Sequence, residues 1–376
     1  MIKFDRQKNE ETRTTSIEKF AITNVLVFDG EAVRGPETVV VENGTIGTKS
    51  DGATIVDGTG CMVLPGLIDT HVHIVDETEL QNCARYGVTT ACDLGAYPKN
   101  LFEKLKKVNW PTEYLSSGLA AFPPQSLHAQ FHSNLDKDMS LRPEHRVADW
   151  VEARVSECVD FIKIIADEPG FDQAVLNELG RYSRAKGKVT IAHATNYTAY
   201  ERGVAADYDI LTHVPLERPV DSVMVDKMLA QGTVSSPTLV MMKLMVGSEH
   251  FKLPGADYQN CLRGVKEMYK AGVPILAGTD SNLLNMPVHH GASIHDELDL
   301  LVTAGLDPTD ALRGATSLAA KHFGLHDRGR IVPGFKADLI LVEGNPTVNI
   351  KDTTKIRKVW KDGTEIPHSG TGDHIA

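Results

Sequence analysis

The feature that most constrains this chain is an alternation that begins near Met62, in which short apolar runs are separated by longer amphipathic stretches. The runs are residues 63–68, 88–93, 114–120, 161–165, 189–192, 210–211, 233–240 and 274–277. Runs too short for helices, each followed by a stretch of helical length, are the pattern of βα units around a parallel sheet. Eight of them predict a (β/α)₈ TIM barrel. The intervening stretches carry helical spacing. Within 142–159, Val147, Trp150, Val151 and Val155 recur at three- and four-residue intervals. Leu176 and Leu179 do the same in 173–186, which stops at Gly187 as a C-cap. Residues 223–231 and 258–271 are each followed by glycine, and 294–304 and 308–323 add two helices after the eighth run.

Both ends of the chain are β-rich. Residues 21–28, 38–41 and 55–57 read as short strands between Gly, Asn and Asp turns, and strands return at Ile331, 337–341 and 356–361. The simplest arrangement pairs the two ends in a small β-sandwich. The expected domains are 1–60 for its N-terminal part, 61–328 for the barrel, and 329–376 for its C-terminal part and tail. A chain of 376 residues is long enough for both.

Charge and cysteine usage narrow the setting. A net charge of −11 argues against a nucleic-acid partner, which would select a basic face. No stretch approaches the roughly 18 apolar residues of a membrane span. Residues 1–19 are too polar for a secretory leader. The five cysteines are scattered without a CxxC spacing, which supports neither a disulfide framework nor a thiolate zinc site. The expected location is the cytoplasm and the expected partner a small-molecule substrate.

The strongest chemical signal is the run from Gly66 to His73. His71 and His73 are two apart on a strand and so point to one side, and at the C-terminal end of a barrel strand that side is the mouth. Two imidazoles there make half of a metal site. Other runs carry ligand-type residues at the same end. Lys163 interrupts an apolar strand where an unpaired ammonium would be costly. His193 follows the fifth run, His213 the sixth, and Asp280 the eighth.

These residues bring a resemblance into view. The run Leu64-Pro65-Gly66-Leu67-Ile68-Asp69-Thr70-His71-Val72-His73 resembles the opening motif of the amidohydrolase superfamily, and Gly334-Phe335-Lys336-Ala337-Asp338-Leu339 resembles the segment that re-enters its β-sandwich. The likeness spans about residues 21–366 and is greatest to the imidazolonepropionase-like and prolidase-like branches. It implies two divalent metal ions, zinc first, with manganese, cobalt or iron fitting a similar cage. His71, His73 and Asp280 would hold the more buried ion, His193 and His213 the second. Lys163, carboxylated to a carbamate, would bridge both. The imidazolonepropionase branch lacks that lysine, so Lys163 favours a prolidase-like binuclear site. The implied reaction is hydrolysis of a C–N bond in a peptide-like or cyclic amide, with Asp280 as general base and then acid. A lactonase or esterase, a decarboxylase or an isomerase on the same scaffold is the alternative. Assembly as a homo-oligomer is also implied.

Substrate contacts are read from the loops. Tyr197, four residues after His193, either bonds the substrate or is an ordinary helix-N-terminal residue. His128 and His132 lie in the long loop after the third run, suited to a lid or an oxyanion contact. His289 and His290 read as rim or supporting residues. The methionine-rich stretch 238–245 reads as core packing or as an adaptable pocket wall. Asp296, Glu297 and Asp299 read as a solvated helix face, and Gly370 and Gly372 as no phosphate loop.

Overall fold

The two ends of the chain meet in one mixed sheet of eight strands. The computed structural model describes residues 19–108, 110–131, 141, 145–248, 253–283 and 287–367. In that sheet Phe20–Phe28 pairs antiparallel with Val33–Glu42 and parallel with Thr54–Asp57 and Cys61–Pro65. Cys61–Pro65 then pairs with Leu339–Glu343, and Ile356–Lys361 and Thr364–Glu365 follow. At the other end Thr45–Gly47 bridges back to Lys336. The expected sandwich is thus a single sheet by its hydrogen bonding, curled about Phe20, Ile22, Val27, Val63, Leu341 and Trp360.

Side-chain alternation explains how this sheet attaches to the rest. Cys61 and Val63 face the sheet's own cluster, whereas Met62 and Leu64 face the main core. Leu339 and Leu341 split from Ile340 and Val342 in the same way. A strand buried on both faces must be apolar throughout. That is why residues 63–68 look like one run in the sequence although the chain breaks it at Gly66. Cys61–Pro65 belongs to the mixed sheet and Leu67–Val72 to the α/β core.

The core has a three-stranded parallel sheet, Leu67–Val72, Val88–Asp93 and Glu113–Ser116, and a four-stranded one, Ile162–Ile165, Thr190–His193, Ile210–Thr212 and Val234–Ser236. The eighth run forms no strand among the described residues. Ile275 within it makes an isolated parallel bridge to Ser235, Ser281 just beyond it bridges to Val72, and Ala121 bridges to Ile164. Residues 233–240 also divide: the strand ends at Ser236, and Leu239–Gly247 is a helix that buries Met241, Met242 and Met245. Ile331 lies outside any strand, and 308–323 breaks into Pro308–Gly314 and Ser317–His322.

The helices follow their sequence signals closely. Gln173–Ala185 buries Leu176 and Leu179, and Tyr258–Ala271 ends at Gly272 in a left-handed conformation (φ 94°) that glycine adopts without strain. Among the described residues no helix is long and apolar enough to cross a membrane.

Candidate metal centre

Each histidine singled out in the core strands sits at a C-terminal strand end. His71 is the fifth residue of Leu67–Val72, and His73 follows that strand. His193 closes Thr190–His193 and His213 follows Ile210–Thr212. The rings form a chain. Centroids lie 5.2 Å apart for His71 and His73, 5.1 Å for His71 and His213, and 4.3 Å for His193 and His213. Asp280 joins from the eighth segment, with Oδ1 3.3 Å from His71 Nε2 and 3.1 Å from His73 Nε2. These three residues offer ligand atoms close enough to share one cation.

The second pair is arranged by its outer bonds. His193 Nε2 lies 3.3 Å from Asp167 Oδ2, and His213 Nδ1 lies 2.8 Å from Thr238 Oγ1. When both outer nitrogens carry the protons, the inner ones, His193 Nδ1 and His213 Nε2, face each other as lone pairs at 2.7 Å. Two lone pairs so placed repel unless a cation lies between their ligating directions. Histidines oriented from behind in this way turn their inner nitrogens to a common side, where a cation would meet them.

Electrostatics favours the neutral, ligating form at His71 and His213 but not at His73. Burial, reinforced by Lys163 and the neighbouring imidazoles, holds His71 well below the usual histidine range. Burial and His193 do the same for His213. For His73 burial pulls down, but the hydrogen bond and charge of Asp280 prevail and its pKa is raised. Lys163, 2% exposed, donates to Thr212 Oγ1 at 2.8 Å. Burial pushes it down to about 7 against the pull of Asp280 and Asp167, so much of it is neutral amine near neutral pH.

Strain gathers at the same place. His213 (φ 72°), Thr238 (φ 49°) and Asp280 (φ 57°) all hold left-handed backbone without being glycine. Each such residue costs on the order of 1–3 kcal/mol, which the surrounding structure has to support.

The expected substrate contacts distribute unevenly. His128 stands edge-on to His193 with centroids 4.4 Å apart, beside the cluster. His132 lies outside the described residues, as do Gly370 and Gly372. The Tyr197 hydroxyl donates to Asp221 Oδ2 at 2.6 Å, and Arg218 covers its ring. His289 is exposed, whereas His290 is buried with Nε2 2.9 Å from the carbonyl oxygen of His73.

Sequence reasoning missed the residues behind the ligands. Asp167 accepts from both Thr195 N and Oγ1. Asp69 accepts from Thr279 Oγ1 at 2.7 Å and from the amide of His71 at 3.2 Å. Asp93 accepts from Tyr114 and the amide of Gly95. All three are acidic residues within or just past core strands, a signal visible in the sequence. Glu297 corrects an expectation: it is fully buried, not part of a solvated face, and accepts from the amides of Leu239 and Val240. Burial pushes its carboxyl up to about 8 in spite of those bonds. Asp296 is exposed, as expected, and Asp299 is half-buried.

Residues 62–366 match the Amidohydrolase family, most of the chain. The chain belongs to the amidohydrolase family. Among curated amidohydrolases, an adenine deaminase of Bacillus licheniformis is 26% identical over 332 residues, 86% of this chain and 53% of that protein. An adenine deaminase of Listeria monocytogenes is 24% identical over 383 residues, 93% of this chain and 57% of that protein. The chain spans a little over half the length of these curated relatives. Among solved structures, a Xaa-Pro dipeptidase with methionine bound in its active site superposes with TM-score 0.79 at 21% identity, covering 93% of this chain and 99% of that one. Molinate hydrolase gives TM-score 0.79 at 20% identity, covering 94% and 96%. At such identities the structural likeness shows the amidohydrolase fold.

Proposed function

We propose that this amidohydrolase is a metal-dependent enzyme that hydrolyses C–N bonds at a binuclear centre. The observation that carries the reading is the inward convergence of imidazole nitrogens on one side, with protein acceptors behind His193 and His213. His71, His73 and Asp280 would hold one divalent ion and His193 and His213 the other, zinc suiting this donor set. Lys163 would bridge them as a carbamate. Its depressed pKa supports this, because only the neutral amine adds to carbon dioxide, forming an N–C bond as Nζ loses a proton.

When bound, such ions supply Lewis-acid polarisation and a lowered pKa for water. The chain's own residues handle the rest. Asp280 takes a proton at its carboxylate and delivers it to the leaving nitrogen. Asp167 and Thr238 hold His193 and His213 in one tautomer. His128, beside His193, would meet the substrate, with His132 proposed for a lid or oxyanion contact and His289 for the rim. The role for Tyr197 requires its hydroxyl to leave Asp221 on substrate entry.

The closed (β/α)₈ barrel is part of this proposal, with domain limits at 61 and 328. The bridges Ala121–Ile164, Ser235–Ile275 and Val72–Ser281 support closure, since they fall between the two core sheets and the eighth segment. Assembly as a homo-oligomer and a cytoplasmic location belong to the same proposal, the location supported by five free cysteines among the described residues.

For the substrate, Lys163 favours a peptide-like amide, an N-acyl amino acid or a cyclic amide. Deamination of a purine is the second reading, favoured by the adenine deaminases among its relatives. Metal content and turnover test both. About two equivalents of metal per chain, falling sharply in Lys163→Ala, with turnover of dipeptides or N-acyl amino acids, is the expected result. One equivalent untouched by the substitution, with ammonia released from adenine, would replace it by the second reading.

A further inference from the structure

A threonine that stands at a helix N-terminus ordinarily caps it, turning its hydroxyl onto an amide of the first turn. Thr238 occupies that position before Leu239–Gly247, yet its side chain makes no capping bond. Its Oγ1 lies instead 2.8 Å from His213 Nδ1. The first-turn amides have a substitute partner. Glu297, from the helix Ser293–Ala304, accepts from the amide of Leu239 at 2.9 Å through one carboxylate oxygen and from Val240 at 2.8 Å through the other. Glu297 and Thr238 are both fully buried, so water cannot take over either task. Thr238 also holds a left-handed backbone (φ 49°), and that turn directs the hydroxyl away from its own helix.

We infer that Glu297 is a positioning residue for His213: by capping the helix in place of Thr238 it frees the Thr238 hydroxyl to orient that imidazole. The inference rests on the metal reading for His213. For His213 Nε2 to offer a lone pair, Nδ1 has to carry the proton and donate it to Thr238 Oγ1. If the carboxylate is lost, the amides of Leu239 and Val240 lose their acceptor, and the Thr238 hydroxyl, at the N-cap of that helix, is the group that ordinarily takes such an amide. Capping the helix with it releases His213. Glutamine is a stringent replacement, because its amide keeps the volume but has only one oxygen to accept with.

The test compares Glu297→Gln, Thr238→Ala, Thr238→Ser and the double variant Glu297→Gln/Thr238→Ala in a buffer alkaline enough to keep Glu297 ionised. Two readouts are used. One is the tautomer of His213 in the metal-free protein, from the ¹⁵N shifts of its ring, assigned by their loss in His213→Asn. The other is zinc affinity. In the wild type and Thr238→Ser the proton is expected on Nδ1. In Glu297→Gln and Thr238→Ala the tautomers mix, and the affinity for one zinc falls roughly 10- to 100-fold. The double variant should then be no worse than Thr238→Ala alone, because both changes break one chain of contacts. A His213 ring unchanged in Glu297→Gln, or penalties that add in the double variant, overturns the inference. If Glu297→Gln does not fold, Thr238→Ala against Thr238→Ser decides, and an unchanged ring in Thr238→Ala again overturns it. A wild type that takes up no zinc removes the metal reading instead, and the tautomer measurement then judges the positioning role alone.

Discussion

At the scale of single residues, Asp280 is the most informative position to change. Its backbone is left-handed (φ 57°), a conformation asparagine tolerates and alanine does not. Asp280→Asn therefore removes the negative charge without adding backbone strain. Turnover is expected to fall by about 10²- to 10⁴-fold, the usual loss of a proton-transferring group, while thermal unfolding monitored by circular dichroism stays near that of the wild type. A variant that keeps full activity would remove Asp280 from the chemistry. The ligand-type residues were legible at this scale because each contradicts its surroundings. Lys163 sits in an apolar strand, and His71, His73, His193 and His213 end strands that need no polar residue. Thr238 and Glu297 were not legible. They are ordinary residues whose partners lie 25 and 58 positions away, and only the fold brings those partners together.

Among the elements, the eighth core segment shows why a short apolar run need not form a strand. Its backbone bonds are divided among several neighbours: Leu276 N donates to Ser235 O, Ala277 N to Gly314 O and Asp280 N to His71 O. In return Ala277 O accepts from both the amide and the hydroxyl of Thr70. Gly278 allows this close approach. A Cβ there would stand 2.7 Å from Thr70 Oγ1 and 3.0 Å from His71 Cβ. Gly278→Ala is accordingly expected to destabilise the protein by about 1–3 kcal/mol in urea unfolding and to lower metal affinity by displacing His71. An unchanged unfolding midpoint would mean that the segment has room to shift. The periodicity of the helices was readable from sequence, because a face that must be buried imposes spacing on its residues. The split of residues 233–240 into a strand and a methionine-rich helix was not, since both halves are buried and apolar throughout.

Across the whole molecule, the mixed sheet and the α/β core are joined by buried charge as well as by apolar packing. Glu113, which opens a core strand, pairs with Arg328 at 2.7 Å and Lys336 at 3.2 Å, and Arg328 is only 5% exposed. Burial alone would raise the Glu113 pKa, but Arg328, Lys336 and Lys361 outweigh it and bring the group from 4.5 down to about 2. A carboxyl whose folded pKa is depressed contributes stability that is present above its unfolded value. That contribution is lost as pH falls from about 4.5 through about 2, and amounts to about 3 kcal/mol at most. Urea unfolding across that acid range should show the loss, and Glu113→Gln should flatten this part of the profile. At neutral pH the same variant leaves Arg328 paired with the half-exposed Asp327, at 2.9 Å. It should cost roughly 3 kcal/mol, whereas a change within error would make the pair dispensable.

By itself the sequence determined the alternation of strands and helices, the β-rich ends and the ligand-type residues at strand ends. Each of these follows from local periodicity or from a polar residue placed where burial would forbid it. Tertiary structure alone decided which strand joined which sheet, the isolated bridges of the eighth segment and the acceptors behind each imidazole. Those depend on contacts between residues far apart in the chain, and a buried hydrogen bond leaves no periodicity to read.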